Sequence, residues 1–188
     1  MEFDNTLEVP LPPDEAWRVL LDIKRIAGCI PGAELTEVVD ERTYKGRVAV
    51  RFGPVALSLV GQARLEAVDH ENHRARMKTQ GVDAKGRGGS DAVIEFLLEP
   101  GGAGTRILIH SEVRLSGSLA QYGRGAGMIQ SVASQLIGQF GEALKAQIEA
   151  GTADPALAKP ISGLTVLGKA AWDSIGRPSG TKDPNRQD

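Results

Sequence analysis

Apolar residues recur at steps of three and four from Ile129 through Val132, Leu136, Phe140 and Leu144 to Ile148, the spacing that gathers side chains on one face of an α-helix. The stretch from about Leu119 to Ala150 therefore reads as one long amphipathic helix, with Gln130, Ser134, Gln139, Glu142 and Lys145 turned to water. A stripe this wide is stable only against a partner surface. The run Gly123-Arg124-Gly125-Ala126-Gly127 just before its regular part weakens the first turn at each glycine.

Upstream the period changes from helical to alternating. Phe3 to Val9 reads as a first strand ending at Pro10, and Pro12-Pro13-Asp14-Glu15 opens a short helix on which Ala16, Val19, Leu20 and Ile23 share a face. After Gly28 come six blocks with strand character: Leu35 to Val39, Tyr44 to Phe52, Val55 to Val68, Ala75 to Val82, Ser90 to Leu98 and Thr105 to Leu115. Asp40-Glu41-Arg42, Gly53-Pro54, His70-Glu71-Asn72, Gly86 to Gly89 and Pro100-Gly101-Gly102 separate them with turn chemistry. Short links between strands imply an antiparallel meander. Val48, Val50 and Phe52 oppose Arg47, Ala49 and Arg51, and Ile107, Ile109, Val113 and Leu115 oppose Arg106, His110, Glu112 and Arg114, so the sheet has one dry face. One such sheet and one long amphipathic helix are both satisfied if the sheet curls around the helix, which makes the class α+β.

Beyond residue 150 the pattern changes again. Residues 151–160 are small, polar and proline-bearing and read as a linker, and residues 178–188 read as a disordered C-terminus. Between them, in 161–177, Ile161, Leu164, Leu167 and Ile175 keep helical spacing with Trp172 alongside and Lys159, Lys169 and Arg177 nearby. That amphipathic segment suits peripheral contact with a membrane surface, a partner protein, or its own domain.

Composition narrows the classes. The 188 residues suffice for one domain of about 1–150 with a sizeable core. With 22 Lys and Arg against 24 Asp and Glu, the net charge of -2 gives no field for holding a polyanion, so nucleic acid is not an expected partner. The N-terminal residues carry no secretory pattern, no run reaches the length of a membrane span, and the lone Cys29 fits a reducing compartment; the expected location is cytoplasmic.

Catalytic and metal-binding patterns are thin, and neither a catalytic residue nor a metal or cofactor is assigned. His70 and His73 fall in one turn, read as solvated, and His110 falls on the polar face of its strand, read as part of a charge ladder. Cys29 has no histidine at a fixed local distance and reads as a buried thiol. Gly123 to Gly127 opens a helix, but no Lys-Ser or Lys-Thr completes a phosphate loop. Lys85 and Arg87 sit in a glycine-rich hairpin tip, read as solvated.

Taken in order, Pro13-Asp14-Glu15-Ala16-Trp17 with Leu20 and Asp22, Ile30-Pro31-Gly32-Ala33, Gly53-Pro54-Val55, Gly81, Lys85-Gly86-Arg87-Gly88, Thr105 with Val113 and Leu115, and Gly117-Ser118-Leu119-Ala120 before Gly123-Arg124 make up a pattern. Over roughly residues 2 to 150 it resembles the carbon monoxide dehydrogenase CoxG family of the START-like, or SRPBCC, helix-grip superfamily. Members often carry cysteine directly after the Pro-Gly, where this chain has Ala33. The resemblance implies a curved antiparallel seven-stranded sheet around the long helix, with two short helices after the first strand. It further implies a non-catalytic accessory protein of molybdenum hydroxylases of the carbon monoxide dehydrogenase type. The implied roles are binding a hydrophobic small molecule, a quinone or lipid, and tethering the enzyme at the inner face of the cytoplasmic membrane.

In such a fold, alternation assigns Val50, Phe52, Leu57, Leu59, Met77, Phe96, Ile109 and Val113 to the cavity lining. Trp17, Leu20 and Ile30 close one side, and Met128, Val132 and Leu136 come from the helix. The same residue types equally build a plain packed core. Gly123, Arg124, Gly125 and Gly127 are assigned to a mobile cavity entrance or, alternatively, to a tight helix-sheet contact. A competing expectation is an enzyme of the polyketide cyclase or aromatase type, with Arg51, Arg64 or Ser111 turned inward to orient the substrate.

Overall fold

A computed structural model describes residues 1–52, 55–102, 104–123 and 126–150. Strand β1 (Glu2–Val9) leads into α1 (Pro13–Leu21) and α2 (Ile23–Ala27), followed by β2 (Ala33–Val38), β3 (Thr43–Phe52), β4 (Val55–Asp69), β5 (Arg74–Asp83), β6 (Gly89–Pro100) and β7 (Thr105–Leu115). A 3₁₀ turn at Gly117–Leu119 and α3 (Ala120–Gly123) precede the long α4 (Ala126–Glu149). The seven strands form one antiparallel sheet in the order β1-β7-β6-β5-β4-β3-β2. The expected strands all occur, most of them one or two residues longer, and α3 and α4 fall within the span expected for the long helix.

Local chemistry explains the elements. Pro13 starts α1 with its fixed φ, Asp14 and Glu15 sit in the positive first turn, and Ala16, Trp17 and Leu20 are buried. The Asp22 carboxylate accepts from the Arg25 amide at 3.1 Å and caps α2. At Gly32 the chain turns into β2 with φ at +72°, and a Cβ there would meet the Ala49 carbonyl oxygen at 2.5 Å, so only glycine fits. A bulge between Leu65 and Ala67 in β4 shifts the register against β5. Leu65 and Val68 thereby both face inward and pack, although alternation alone separates them.

The densest core lies at one end of the concave face. Leu7, Val9, Ala16, Trp17, Leu20, Cys29, Ala75, Leu98, Ile107 and Leu144 pack together there, where α1 and the C-terminal half of α4 meet β1, β7, β6 and β5. Helix α4 lies chiefly along β1. Ser134 donates to Asn5 Oδ1 at 2.9 Å, and Gly141 brings the helix close to the Leu7 side chain. On this helix Ile129 and Leu144 are buried, whereas Val132, Leu136 and Phe140 are half-buried. Gln147, on the last turn, is also buried. The expected linker at 151–160, the amphipathic segment at 161–177 and the C-terminus at 178–188 lie outside the described residues, and with them Ile161, Leu164, Leu167, Trp172 and Ile175.

Candidate functional site: a glycine-floored cavity

Because α4 leans toward β1, the β2 to β6 half of the concave face needs another cover. A row nearly free of side chains crosses it: Gly46 pairs with Gly61, Gly61 with Gly81, and Gly81 with Ser90. In the next row stand Tyr44, Ala63, Thr79 and Ala92. Above this low floor α2 presents Ile23, Ile26 and Ala27, followed by Ile30. Leu35, Val48, Leu59, Met77 and Ile94 make the walls of a cavity of about 350 Å³ that is open to solvent. Such a volume is at the small end of the range for ligand sites, roughly 300–1,000 Å³.

Sheet geometry explains two of the floor glycines. A Cβ on Gly46 would meet the Glu34 carbonyl oxygen at 2.6 Å, and one on Gly61 would collide with the carbonyl oxygen of Gln80. Close approach of neighbouring backbones therefore excludes side chains there.

The polar groups that share the inner face are few. Thr79 and Ser90 bring hydroxyls to the lining, and Tyr44 a phenol. The Tyr44 hydroxyl donates to the Glu41 carbonyl at 2.7 Å. Burial first, and then the charges of Asp22, Asp40 and Glu41, push its pKa above the ordinary phenol value, so it stays protonated. Glu34, Lys45, Arg47, Gln62 and Gln80 also border the cavity, but alternation sends their side chains to the outer face. There Lys45 pairs with Glu37 and Gln80 donates to Asp91.

Of the residues assigned to the lining from sequence, Ile30, Leu59 and Met77 meet in this cavity. Trp17 and Leu20 belong to the core instead, with Phe96 and Ile109 packed against it. Leu57 is buried and Val50, Val113, Val132 and Leu136 are half-buried, all outside the lining. The physical reason is the lateral position of α4, which fills the β1 side and leaves the opening beneath α2. The side chains of Phe52 and Met128 lie outside the described residues, as do Arg124 and Gly125. Gly123 belongs to α3, and Gly127, in the first turn of α4, does not line the cavity. The residues that sequence reasoning missed, Ile23, Ile26 and the glycine row, carry a signal only once the strand register is known. Arg51 and Arg64 are exposed on the outer face, so the register does not turn them inward, while Ser111 is buried on the inner face opposite Ile94.

Polar contacts outside the cavity hold the fold around the site. The β5–β6 hairpin is closed by Asp83, whose buried carboxylate accepts from Arg87 Nε at 2.8 Å and Nη2 at 2.9 Å. Its oxygens also take the amides of Lys85 and Ser58. Arg87 Nη2 further donates to the Ala56 carbonyl, and Ser118 Oγ donates to the Arg87 carbonyl at 2.7 Å, tying β4, the hairpin and the lead-in to α3 together. The Arg87 guanidinium holds the Asp83 carboxyl well below the usual carboxylate range. The expected solvated tip is thus a clamp, because burial of Asp83 requires a cationic partner.

The β4–β5 turn departs from expectation too. Although His70 is exposed, its Nδ1 accepts from Trp17 Nε1 at 3.0 Å, and His73 Nε2 lies 3.0 Å from Asp14 Oδ1. The turn packs on α1 instead of standing free, since the buried indole N–H needs an acceptor. Cys29 is buried as expected, and its thiol donates to Gln147 Oε1 at 3.3 Å. Burial raises its pKa, partly offset by Arg25. His110 pairs with Asp4 at 2.7 Å on the outer face, and the hydrogen bond to Asp4 raises its pKa. Among the described residues there is no group of three or more His, Cys, Asp or Glu able to hold a metal ion, and no helix is long and apolar enough to cross a membrane.

This architecture has clear relatives among solved structures. A conserved protein from Geobacillus kaustophilus is 20% identical, with a TM-score of 0.70 over 80% of this chain and 97% of that one. TTHA0849 from Thermus thermophilus is 18% identical, with a TM-score of 0.59 over 81% and 99%. The Zhui aromatase/cyclase from Streptomyces sp. R1128 is 14% identical, with a TM-score of 0.55 over 79% and 93%. At such identities these similarities establish the helix-grip fold. No curated protein matches the chain. The model of the family described as the CoxG subunit of carbon monoxide dehydrogenase matches residues 6–149. With that match spanning the sheet, the covering helices and the cavity between them, the chain belongs to the carbon monoxide dehydrogenase CoxG family.

Proposed function

We propose that this protein is a non-catalytic accessory subunit of a molybdenum hydroxylase of the carbon monoxide dehydrogenase type, and that it holds an uncharged hydrophobic molecule, a quinone or lipid, in the cavity beneath α2. One observation carries the reading: a cavity of about 350 Å³ walled by Ile23, Ile26, Ile30, Leu59, Met77 and Ile94. Apolar surface of this extent left unfilled forgoes burial energy that a ligand supplies, at about 25 cal/mol per Å². The volume suits a ring system or a short alkyl segment, and the rest of a longer molecule extends through the open side. Membership of the carbon monoxide dehydrogenase CoxG family supports this choice of enzyme partner.

Purified full-length protein, extracted with organic solvent and melted with and without added benzoquinones or fatty acids, tests this reading. A co-purifying apolar compound, or a rise in Tm with one probe class, supports the carrier. Empty extracts together with an unchanged Tm defeat it. The amphipathic segment at 161–177 is proposed to contact the membrane surface; if a chain ending at Ala150 sediments with anionic vesicles as well as the full chain does, that part fails.

The aromatase/cyclase relative raises an enzymatic reading. Against it, Arg51 and Arg64 are exposed on the outer face, and the inner-face polar groups at the cavity are the hydroxyls of Thr79, Ser90 and Tyr44. Hydroxyls orient a ligand but make poor acids and bases at neutral pH.

A further inference from the structure

The floor glycines are not equivalent. At Gly46 and Gly61 a side chain is excluded by the neighbouring backbone, through the carbonyl oxygens of Glu34 and Gln80. Gly81, between them and Ser90, is different. A Cβ built on it meets only the Leu59 Cβ at 3.5 Å and the Val60 carbonyl oxygen at 3.7 Å, both ordinary van der Waals distances. Its φ lies outside the left-handed region, unlike those of Gly86, Gly88 and Gly117. Neither packing nor backbone conformation requires glycine at this position. Glycine in a strand interior nevertheless costs stability, through chain entropy and the absence of a side chain to pack. Its retained effect is volume, because Gly81 lines the cavity and any side chain there would project from the floor into it.

We propose that Gly81 is the size-determining residue of the cavity, keeping clear the part of the floor on which the ligand's bulkiest portion rests. The Ser90 hydroxyl, on the residue paired with Gly81, and the Thr79 hydroxyl, two residues away along β5 on the same face, stand beside that clearing. They match an uncharged ligand whose ring carries an oxygen able to accept a hydrogen bond. This inference rests on the carrier reading above and adds to it the residue that selects for ligand width.

The test compares the full-length wild type with the Gly81→Ala and Gly81→Leu variants. The probes are one benzoquinone with a short alkyl substituent and one unbranched fatty acid of similar length, and the readouts are Tm and binding by calorimetry. The wild type is expected to bind the ring-bearing probe. Gly81→Leu should weaken that binding by at least about tenfold, as occlusion of an apolar pocket does, and Gly81→Ala should weaken it by a smaller factor. Both variants should keep or exceed the wild-type Tm. The slender fatty acid should lose less than the ring. If the wild type binds neither probe, the carrier reading itself fails. If the wild type binds the ring and folded Gly81→Leu binds it equally well, Gly81 does not set the size and this inference is overturned. Should Gly81→Leu not fold, Gly81→Ala decides: unchanged ring affinity with unchanged Tm overturns the inference, and a selective loss of ring affinity supports it. A lower Tm for Gly81→Ala also overturns it, because packing would then require the glycine.

Discussion

The indole nitrogen of Trp17 donates to Nδ1 of His70 at 3.0 Å, across 53 positions of sequence, and so fastens α1 to the β4–β5 turn. The Trp17 ring is further flanked by His73 and Phe96, with ring centroids 5.5 Å and 6.0 Å away. Since indole N–H is a donor only, Nδ1 of His70 serves it as the acceptor.

Replacing His70 with Ala removes that acceptor beside an indole only 4% exposed. The variant should lose about 1 kcal/mol of unfolding free energy, with a wild-type-like slope in a urea titration. A midpoint equal to wild type would mean that water serves the indole equally well and that the contact is incidental.

The Asp83–Arg87 clamp sets an acid-side dependence of stability. The folded-state pKa of Asp83 lies below its unfolded value of 3.8, so the unfolded chain binds the proton more readily. The clamp's contribution is therefore complete above about pH 4 and is lost as pH falls further, toward the folded-state value. Asp83→Asn should melt lower than wild type at neutral pH, and the gap between the two should narrow below pH 4. A gap constant across that range would show that the carboxylate's charge does not carry the stabilisation.

Gly61 should tolerate no side chain. Gly61→Ala places a Cβ against the Gln80 carbonyl oxygen of the neighbouring strand, and overpacking of this kind costs roughly 1–3 kcal/mol. Denaturant unfolding checks the value. A variant as stable as wild type would mean that β4 and β5 separate without penalty at this point.

Much of the scaffold was legible because the physics that builds it is local. Alternation in Thr105 to Leu115 located β7 at its observed bounds, and the three-and-four spacing from Ile129 to Ile148 located α4. The lateral position of the helix was not legible. The apolar stripe says that α4 must be covered, but not whether β1 or β3 covers it, and the choice of β1 moved the opening from the helix to α2. Gly46, Gly61 and Gly81 look unrelated in sequence and become one surface only through the register of three strand pairs. Arg87 read as solvated because its partner Asp83 was counted with neither strand nor turn, and His70 read as solvated because its role depends on a residue in a different element.

The central claim is that the space between α2 and the glycine floor is where an apolar ligand sits. Methyl-resolved NMR of the full-length protein, titrated with a short-chain benzoquinone, tests it most directly. The account predicts saturable shifts at the methyls of Ile23, Ile26, Ile30, Leu59, Met77 and Ile94, with Leu144 and Ile107 in the distant core unmoved. Shifts confined to Leu144 and Ile107, or none at saturating probe, would contradict it.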